Sequence, residues 1–261
     1  MPRILIKTPE QIEGIRKAGK LTAMTLDMIG QYVKPEISTL ELDNIMNAFI
    51  LKNGGVSACI DYLGNNKWGK GPSAYKKCTC ISLNDVICHG IPREDEVLKE
   101  GDILNIDVTT IVDGYFGDAS RMYTVGEVSE QAKHVVNVAK KSLEIGIKEV
   151  RPGNHFGNIG YEIAKYAESN GCSVVREYTG HGVGVHFHEE PYVYHKAEKN
   201  SGPKMQPGMI FTIEPMINSG KFATKLDKDQ WTVRTKDGSL SAQWEHTILV
   251  TEKGCEILTK A

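Results

Sequence analysis

The chain has 261 residues and a formal net charge of −2, with 40% hydrophobic and 25% charged residues. Its pI near 6.5 offers no basic surface for nucleic acid, and no apolar stretch approaches the ~20 residues that span a bilayer. Met1-Pro2-Arg3-Ile4-Leu5-Ile6-Lys7 lacks the apolar region of a secretory signal, and six cysteines are too few for a disulfide scaffold, so a reduced, cytoplasmic protein is expected.

Thr8-Pro9-Glu10-Gln11 reads as a capping box with proline at the first helical position. Ile12, Ile15, Gly19, Thr22, Leu26, Ile29 and Val33 follow at three- and four-residue steps and predict one buried helix face. Ser38-Thr39-Leu40-Glu41 caps a second helix that stops near Asn53-Gly54. Residues 61–73 are rich in Gly, Lys and Asn and read as a surface loop. Cys78-Thr79-Cys80 lacks zinc-finger spacing and reads as strand residues on one sheet face. Residues 103–110 and 116–125 flank Asp113-Gly114 and predict a β-hairpin. Ser129 opens a third helix bearing Val135, Ala139 and Leu143; a fourth runs from about 154 to 171 with Ile159, Ile163 and Ala167. Residues 195–203 read as a second surface loop.

The order of these elements repeats. Gly101-Asp102-Ile103-Leu104-Asn105-Ile106-Asp107 matches Gly208-Met209-Ile210-Phe211-Thr212-Ile213-Glu214, each ending on a carboxylate. Val33-Lys34-Pro35 precedes Asn53-Gly54 at the same spacing as Val150-Arg151-Pro152 precedes Asn170-Gly171, and His89-Gly90 echoes His181-Gly182. The expectation is one catalytic domain, residues 1–261, made of two related α/β halves near 9–125 and 129–250, with a site where they meet.

Five donor residues lie in or beside strand-like stretches: Asp107, Asp118, His181, Glu214 and Glu245. A two-residue turn at Asp113-Gly114 places Asp107 opposite Ser120 and makes Asp118 its diagonal neighbour on the same face; a three-residue loop would put Asp118 on the other face. Glu214 follows the apolar residues 209–213, and Glu245 falls in the apolar run 244–250. Burying such carboxylates is costly unless a metal or an arginine balances them. Four carboxylates and one imidazole suit Mn, Fe or Co better than a closed structural zinc site. Two such ions, ~3.5–4 Å apart, lower the pKa of a shared water, which points to hydrolysis.

Residues 180–191 are the densest functional segment. No helix follows their glycines, so a phosphate cradle is not supported, and the spacing is not that of the helical His-Glu-x-x-His motif. His181 is the ligand candidate, and His188 is free to hydrogen-bond a substrate. His186 is expected at the rim, and His134, His155, His195 and His246 are expected to be structural or exposed.

Cys88-His89-Gly90-Ile91-Pro92, Asn105-Ile106-Asp107-Val108, Gly117-Asp118, Gly180-His181-Gly182, Phe187-His188-Glu189-Glu190-Pro191, Thr212-Ile213-Glu214-Pro215 and Gln243-Trp244-Glu245-His246 together resemble the type I methionine aminopeptidases over nearly the whole chain. The resemblance implies the pita-bread fold, in which two pseudo-symmetric halves each pack helices on a curved, mainly antiparallel sheet. It implies removal of the initiator methionine from nascent polypeptides, by a hydroxide bridging two divalent metals (Co, Mn, Fe or Zn). Asp107 would bind one metal, Asp118 and Glu245 would bridge both, and His181 and Glu214 would complete the other coordination sphere. Glu214 would also shuttle a proton, His188 would polarise the carbonyl, and His89 would contact the scissile nitrogen. Tyr75, Cys80, Phe187 and Trp231 match positions lining the methionine pocket, and aromatic and sulfur surfaces suit a thioether. Asn84 and Ser241 match positions that hold a monovalent cation, Na or K. A monomer with transient ribosome contact is implied.

The chain departs from the commoner members in seemingly longer segments at 61–74 and 195–203, both expected to border the cleft. No N-terminal zinc-finger extension is expected, and the stretch from His188 to Glu214 is too short for the type II insertion. Two other readings share features with this one. An aminopeptidase P or prolidase uses the same five ligands, but Asp107 falls too early to follow their extra N-terminal domain. A binding protein that had lost the chemistry would lack ligands, whereas all five are present.

Overall fold

A computed structural model of the chain describes residues 4–63 and 74–260; most of the loop expected at 61–73 lies outside them. Helix α1 spans Pro9–Ile29. The capping box forms as expected: Thr8 Oγ1 accepts from Gln11 N at 3.3 Å, and Gln11 Oε1 accepts from Thr8 N at 2.9 Å. The apolar periodicity overshoots the helix. Gly30–Tyr32 tightens into a 3-10 turn and Val33 is extended, because Pro35 follows and the backbone must leave the helical region before it. Helix α2 spans Thr39–Lys52, and the Ser38 side chain caps it by accepting from Glu41 N at 3.1 Å.

Five strands follow: β1 (Val56–Ser57), β2 (Cys80–Leu83), β3 (Val86–Cys88), β4 (Ile103–Val112) and β5 (Tyr115–Thr124). β5 lies antiparallel along one edge of β4, and β1 and β2 share its other edge. Asp113 and Gly114 both have positive φ, 51° and 83°, as a two-residue mirror-image turn requires. α1 lies directly on this hairpin. A Cβ on Gly117 would come within 2.2 Å of Gly19 N, so only glycine allows this approach. Thr22 Oγ1 donates to Gly117 O at 2.8 Å, and Thr110 Oγ1 donates to Ala18 O at 3.0 Å, so the polar groups at the contact are satisfied. The expectation for Cys78-Thr79-Cys80 is corrected. The strand begins only at Cys80, and the preceding bend turns Cys78 into the core beneath α1 and α2, while Cys80 packs with Cys59 and Tyr75.

The second half opens with α3 (Glu130–Lys148, capped by Ser129) and α4 (Phe156–Ser169). Strands β6 (Ser173–Val174), β7 (Gly180–Gly182), β8 (Glu189–Val193), β9 (Ile210–Ile213), β10 (Met216–Asn218), β11 (Thr224–Leu226), β12 (Val233–Thr235), β13 (Ser241–Gln243), β14 (His246–Val250) and β15 (Cys255–Ile257) follow. They form a five-stranded sheet in the order β15-β14-β9-β7-β8 and a three-stranded sheet β13-β10-β6, while β11 and β12 join β3 of the first half. β9, β10, β13 and β14 pair antiparallel with their neighbours. α2 and α4 are each 14 residues long, and each ends on an asparagine with nearly the same backbone angles (Asn53 φ −96°, ψ 17°; Asn170 φ −99°, ψ 17°). Each helix pair covers its own apolar core, one centred on Leu42, Met46 and Ile106, the other on Val135, Ile163 and Phe211.

Residues 195–203 do not border the cleft, contrary to expectation. They fold against the start of α4, where Gly157 N donates to Ser201 O at 3.0 Å and Asn200 N to Asn158 Oδ1 at 2.6 Å. Short polar side chains and helix-start amides find partners there that open solvent beside a cleft would not fix.

Candidate metal centre

The hairpin sets the first two carboxylates. Asp107 pairs with Ser120 and Thr109 with Asp118, so Asp107 and Asp118 are diagonal neighbours on one face. Asp118 is 3% exposed. Its Oδ1 accepts from Thr109 Oγ1 at 2.7 Å, leaving Oδ2 toward the cavity, where it lies 3.5 Å from His181 Nε2.

The two glutamates come from a break in two neighbouring strands. β9 pairs with β14 up to Ile213↔His246, and β10 pairs with β13 from Met216↔Gln243. Between those pairs both strands are interrupted, one at Glu214-Pro215 and the other at Trp244-Glu245. The breaks lie side by side, so two carboxylates emerge at the same level. Glu245 therefore sits at an interruption, not in the continuous strand that its apolar neighbours suggest. Glu214 Oε1 accepts from Thr212 Oγ1 at 2.7 Å and Oε2 from Gln243 Nε2 at 3.2 Å, and its backbone N donates to His195 Nε2 at 3.1 Å. His195, 2% exposed, is thus structural, as expected.

His181 completes the group from β7. Its Nδ1 lies 3.0 Å from Gly182 O. A carbonyl only accepts, so Nδ1 carries the proton and Nε2 is a bare lone pair. Nε2 is 3.6 Å from Glu214 Oε1. Donor atoms of Asp118, His181 and Glu245 lie within 4.8 Å of one another, all three residues buried, and Glu245 Oε2 has no hydrogen-bond partner. An orphaned, buried carboxylate oxygen facing an unprotonated imidazole fits a cation. Asp107 lines the same cavity and completes an oxygen-rich set suited to hard or borderline divalent ions.

Electrostatics agree with this fit. Burial raises the carboxyl of Asp118 to about 7 despite the Thr109 hydrogen bond, and raises that of Glu214 to about 8. Asp107 and Glu245 are pushed well above the carboxylate range, first by burial and then by the neighbouring acids. Burial lowers His181 and His89 to about 4 and His188 to about 2, so all three rings are neutral at pH 7. These shifts set a pH dependence for metal-stripped protein. Between about pH 7.5 and 8.5 the histidines are neutral in both folded and unfolded chains, because unfolded imidazoles titrate near ~6.5. Over the same range the folded carboxyls retain protons that the unfolded ones, near 3.8 and 4.5, have lost. The folded state binds more protons there, so stability falls as pH rises through about 8. The melting temperature of chelator-treated protein is expected to drop from pH 7.5 to pH 8.5, and saturating Mn²⁺ is expected to abolish or invert that slope. A flat profile for the stripped protein would contradict the buried-acid cluster.

Above the acids lies a cavity of about 370 Å³. The four predicted pocket residues, Tyr75, Cys80, Phe187 and Trp231, all line it, as do His89 and His188. Tyr75 is fixed by hydrogen bonds from its hydroxyl to Thr79 O (2.9 Å) and Gly90 O (3.0 Å), and its ring meets Trp231 edge-on at 5.2 Å. His89 holds a left-handed backbone (φ 56°) and stands edge-on to Tyr178 at 5.7 Å. Its ring thus lines the cavity from the residue just past β3. His186 is exposed, as expected of a rim residue. Asn84 and Ser241 are brought together by a hydrogen bond from Ser241 N to Asn84 O at 2.8 Å. Their side chains are used elsewhere, on Asp102 and Asn218.

Sequence reasoning missed several lining residues, among them Cys59, Tyr62, Thr109 and Tyr178. Thr109 was accessible in principle, because the hairpin register places it opposite Asp118. Cys59 and Tyr62 carried no local signal. Among the described residues all six cysteines are free, and no helix is long and apolar enough to cross a membrane.

Residues 13–252 match the model of metallopeptidase family M24. The chain is 51% identical over 257 residues to the methionine aminopeptidase of Escherichia coli (strain K12), covering 98% of this chain and 94% of that one. It superposes on the crystal structure of methionine aminopeptidase from Rickettsia prowazekii with a TM-score of 0.93 at 46% identity, covering 98% of this chain and all of that one. Its likeness to the prolidase from Pyrococcus furiosus (TM-score 0.75, 22% identity) is one of fold alone, and spans 65% of that chain.

Proposed function

The chain belongs to metallopeptidase family M24, among its methionine aminopeptidases, and from that premise we propose how its residues remove an N-terminal methionine. It has the pita-bread fold of these enzymes and is a hydrolase. The observation that carries the mechanism is the convergence of Asp118, His181 and Glu245 beneath a pocket of aromatic and thiol side chains.

Asp107, Asp118, His181, Glu214 and Glu245 would hold two divalent ions, which when bound supply an activated water and polarise the scissile carbonyl. The methionine side chain enters among Tyr75, Cys80, Phe187 and Trp231, with Cys59 packed in the same cluster, where apolar and sulfur surfaces replace its hydration shell. His188 stabilises the negative charge that develops on the carbonyl oxygen, and His89 contacts the scissile nitrogen. Glu214 would act as a general base, taking a proton from the attacking water and passing it to the leaving amine. Asn84 and Ser241, which meet through Ser241 N and Asn84 O, would hold a monovalent ion, Na or K. We read the chain as one catalytic domain of duplicated halves, acting as a cytoplasmic monomer on nascent chains, with transient ribosome contact.

Chelated protein is expected to lose turnover of a Met-Ala-Ser peptide and to regain it on addition of Mn²⁺, Co²⁺, Fe²⁺ or Zn²⁺, with two equivalents bound at saturation. An X-Pro dipeptide is expected to be cleaved poorly. Preferential X-Pro cleavage, or turnover indifferent to chelation, would reject this reading.

A further inference from the structure

Tyr62 contributes more than a wall to the cavity. Its backbone is pinned: Tyr62 N donates to Cys59 O at 3.1 Å, and Tyr62 O accepts from Tyr75 N at 2.8 Å. Its ring lies near-parallel to that of His188, with centroids 5.2 Å apart and planes 21° apart, and packs on Phe187 at 4.8 Å. Its hydroxyl is 2.8 Å from His188 Nδ1. That contact admits two proton arrangements. Either the phenol donates to Nδ1 and the ring proton sits on Nε2, or Nδ1–H donates to the phenol oxygen and Nε2 is bare.

Basicity decides between them. A neutral imidazole nitrogen, whose conjugate acid titrates near ~6.5, is a far better acceptor than a phenol oxygen. The phenol keeps its proton, since burial pushes Tyr62 up to about 12. His181, whose ring centroid is 4.1 Å from that of His188, has the opposite arrangement, with Nδ1–H on Gly182 O. Two adjacent imidazoles are thereby differentiated. One offers a lone pair to a metal, and the other offers an N–H to a substrate.

We propose that Tyr62 is a positioning residue: its hydroxyl donates to His188 Nδ1 and fixes the tautomer and ring orientation that present Nε2–H to the substrate carbonyl. This rests on the role of His188 given above. No other acidic or basic side chain is needed to set that tautomer, because the partner of one ring nitrogen dictates the state of the other.

The test uses Zn²⁺-loaded enzyme, which is diamagnetic, with ¹⁵N-labelled histidine. Long-range ¹H–¹⁵N correlation is expected to show His188 protonated at Nε2 and accepting at Nδ1; a proton on Nδ1 overturns the proposal. Tyr62→Phe keeps the ring and removes the donor. It is expected to shift the Nδ1 resonance and to lower kcat about tenfold, less than the ~100-fold or more of losing an oxyanion donor outright, with KM nearly unchanged. In a His188→Ala background the same substitution is expected to have no further effect. An equal loss in both backgrounds would assign Tyr62 to packing alone and reject the proposal. A His188→Ala enzyme with normal kcat overturns the role of His188 itself, and the nitrogen spectrum separates that failure from a wrong tautomer.

Discussion

Asp118→Asn is expected to abolish turnover while leaving the fold intact. The amide has the shape of the carboxylate, and its oxygen can still accept from Thr109 Oγ1 as Asp118 Oδ1 does. The backbone ties of Asp118 to Thr247, in which Asp118 N donates to Thr247 Oγ1 at 3.3 Å and Thr247 Oγ1 donates to Asp118 O at 2.7 Å, do not involve the side chain. What changes is the oxygen facing His181 Nε2 at 3.5 Å, which becomes an NH₂ unable to bind a cation. Loss of partners one shell further out commonly costs 10–100-fold in metal affinity or activity, so a direct ligand should cost more than about 100-fold in kcat/KM. Metal-stripped variant should melt no lower than metal-stripped wild type, because one raised, buried acid has been removed. Calorimetry with and without Mn²⁺, paired with peptide hydrolysis, reads both. Near-normal hydrolysis by this variant would refute a metal-holding role for Asp118.

The second large effect is on stability, and it begins far from the acids in sequence. Lys7 and Glu189 form an ion pair whose side chains are 1% and 4% exposed. The other carboxylate oxygen of Glu189 accepts from Val185 N and His186 N, both at 2.8 Å. One buried carboxylate thus fastens the turn carrying Phe187 and His188 to the segment before α1, which Lys7 N also ties to Gly208 O at 2.8 Å. Removing one partner of a buried pair leaves an uncompensated charge, and Lys7→Met is expected to cost about 3–5 kcal/mol. Lys7→Met combined with Glu189→Gln should recover part of that loss, since the amide carries no charge to bury. Denaturant unfolding of the singles and the double measures it. A single variant within about 1 kcal/mol of wild type would show that the pair is solvated and does not hold the turn.

The same contrast between local and distant causes explains what could be read before the fold was known. Thr8, Ser38 and Ser129 announce three helix starts because capping is local chemistry, and all three accept the expected amide. The Asp113-Gly114 turn fixes the hairpin register, and with it the pairing of Asp107 with Ser120, because only two residues separate the strands. The periodicity failed at Val33, where the nearby proline overrides it, and at Cys78, where a bend separates two cysteines that alternation would place on one face. The motifs also named the four pocket residues that line the cavity, although spacing alone would have left them as core.

The sequence by itself determined the donor chemistry, an acid-rich set with one imidazole, since side-chain identity fixes which ions can be held. The tertiary structure decided how those donors meet. The paired interruptions at Glu214-Pro215 and Trp244-Glu245 align only once β9 packs beside β14 and β10 beside β13. The proton positions on His181 and His188 likewise follow from Gly182 and Tyr62, contacts made by the folded chain. Long-range pairing sets burial and hydrogen-bond partners, and these, not residue type, govern charge and tautomer.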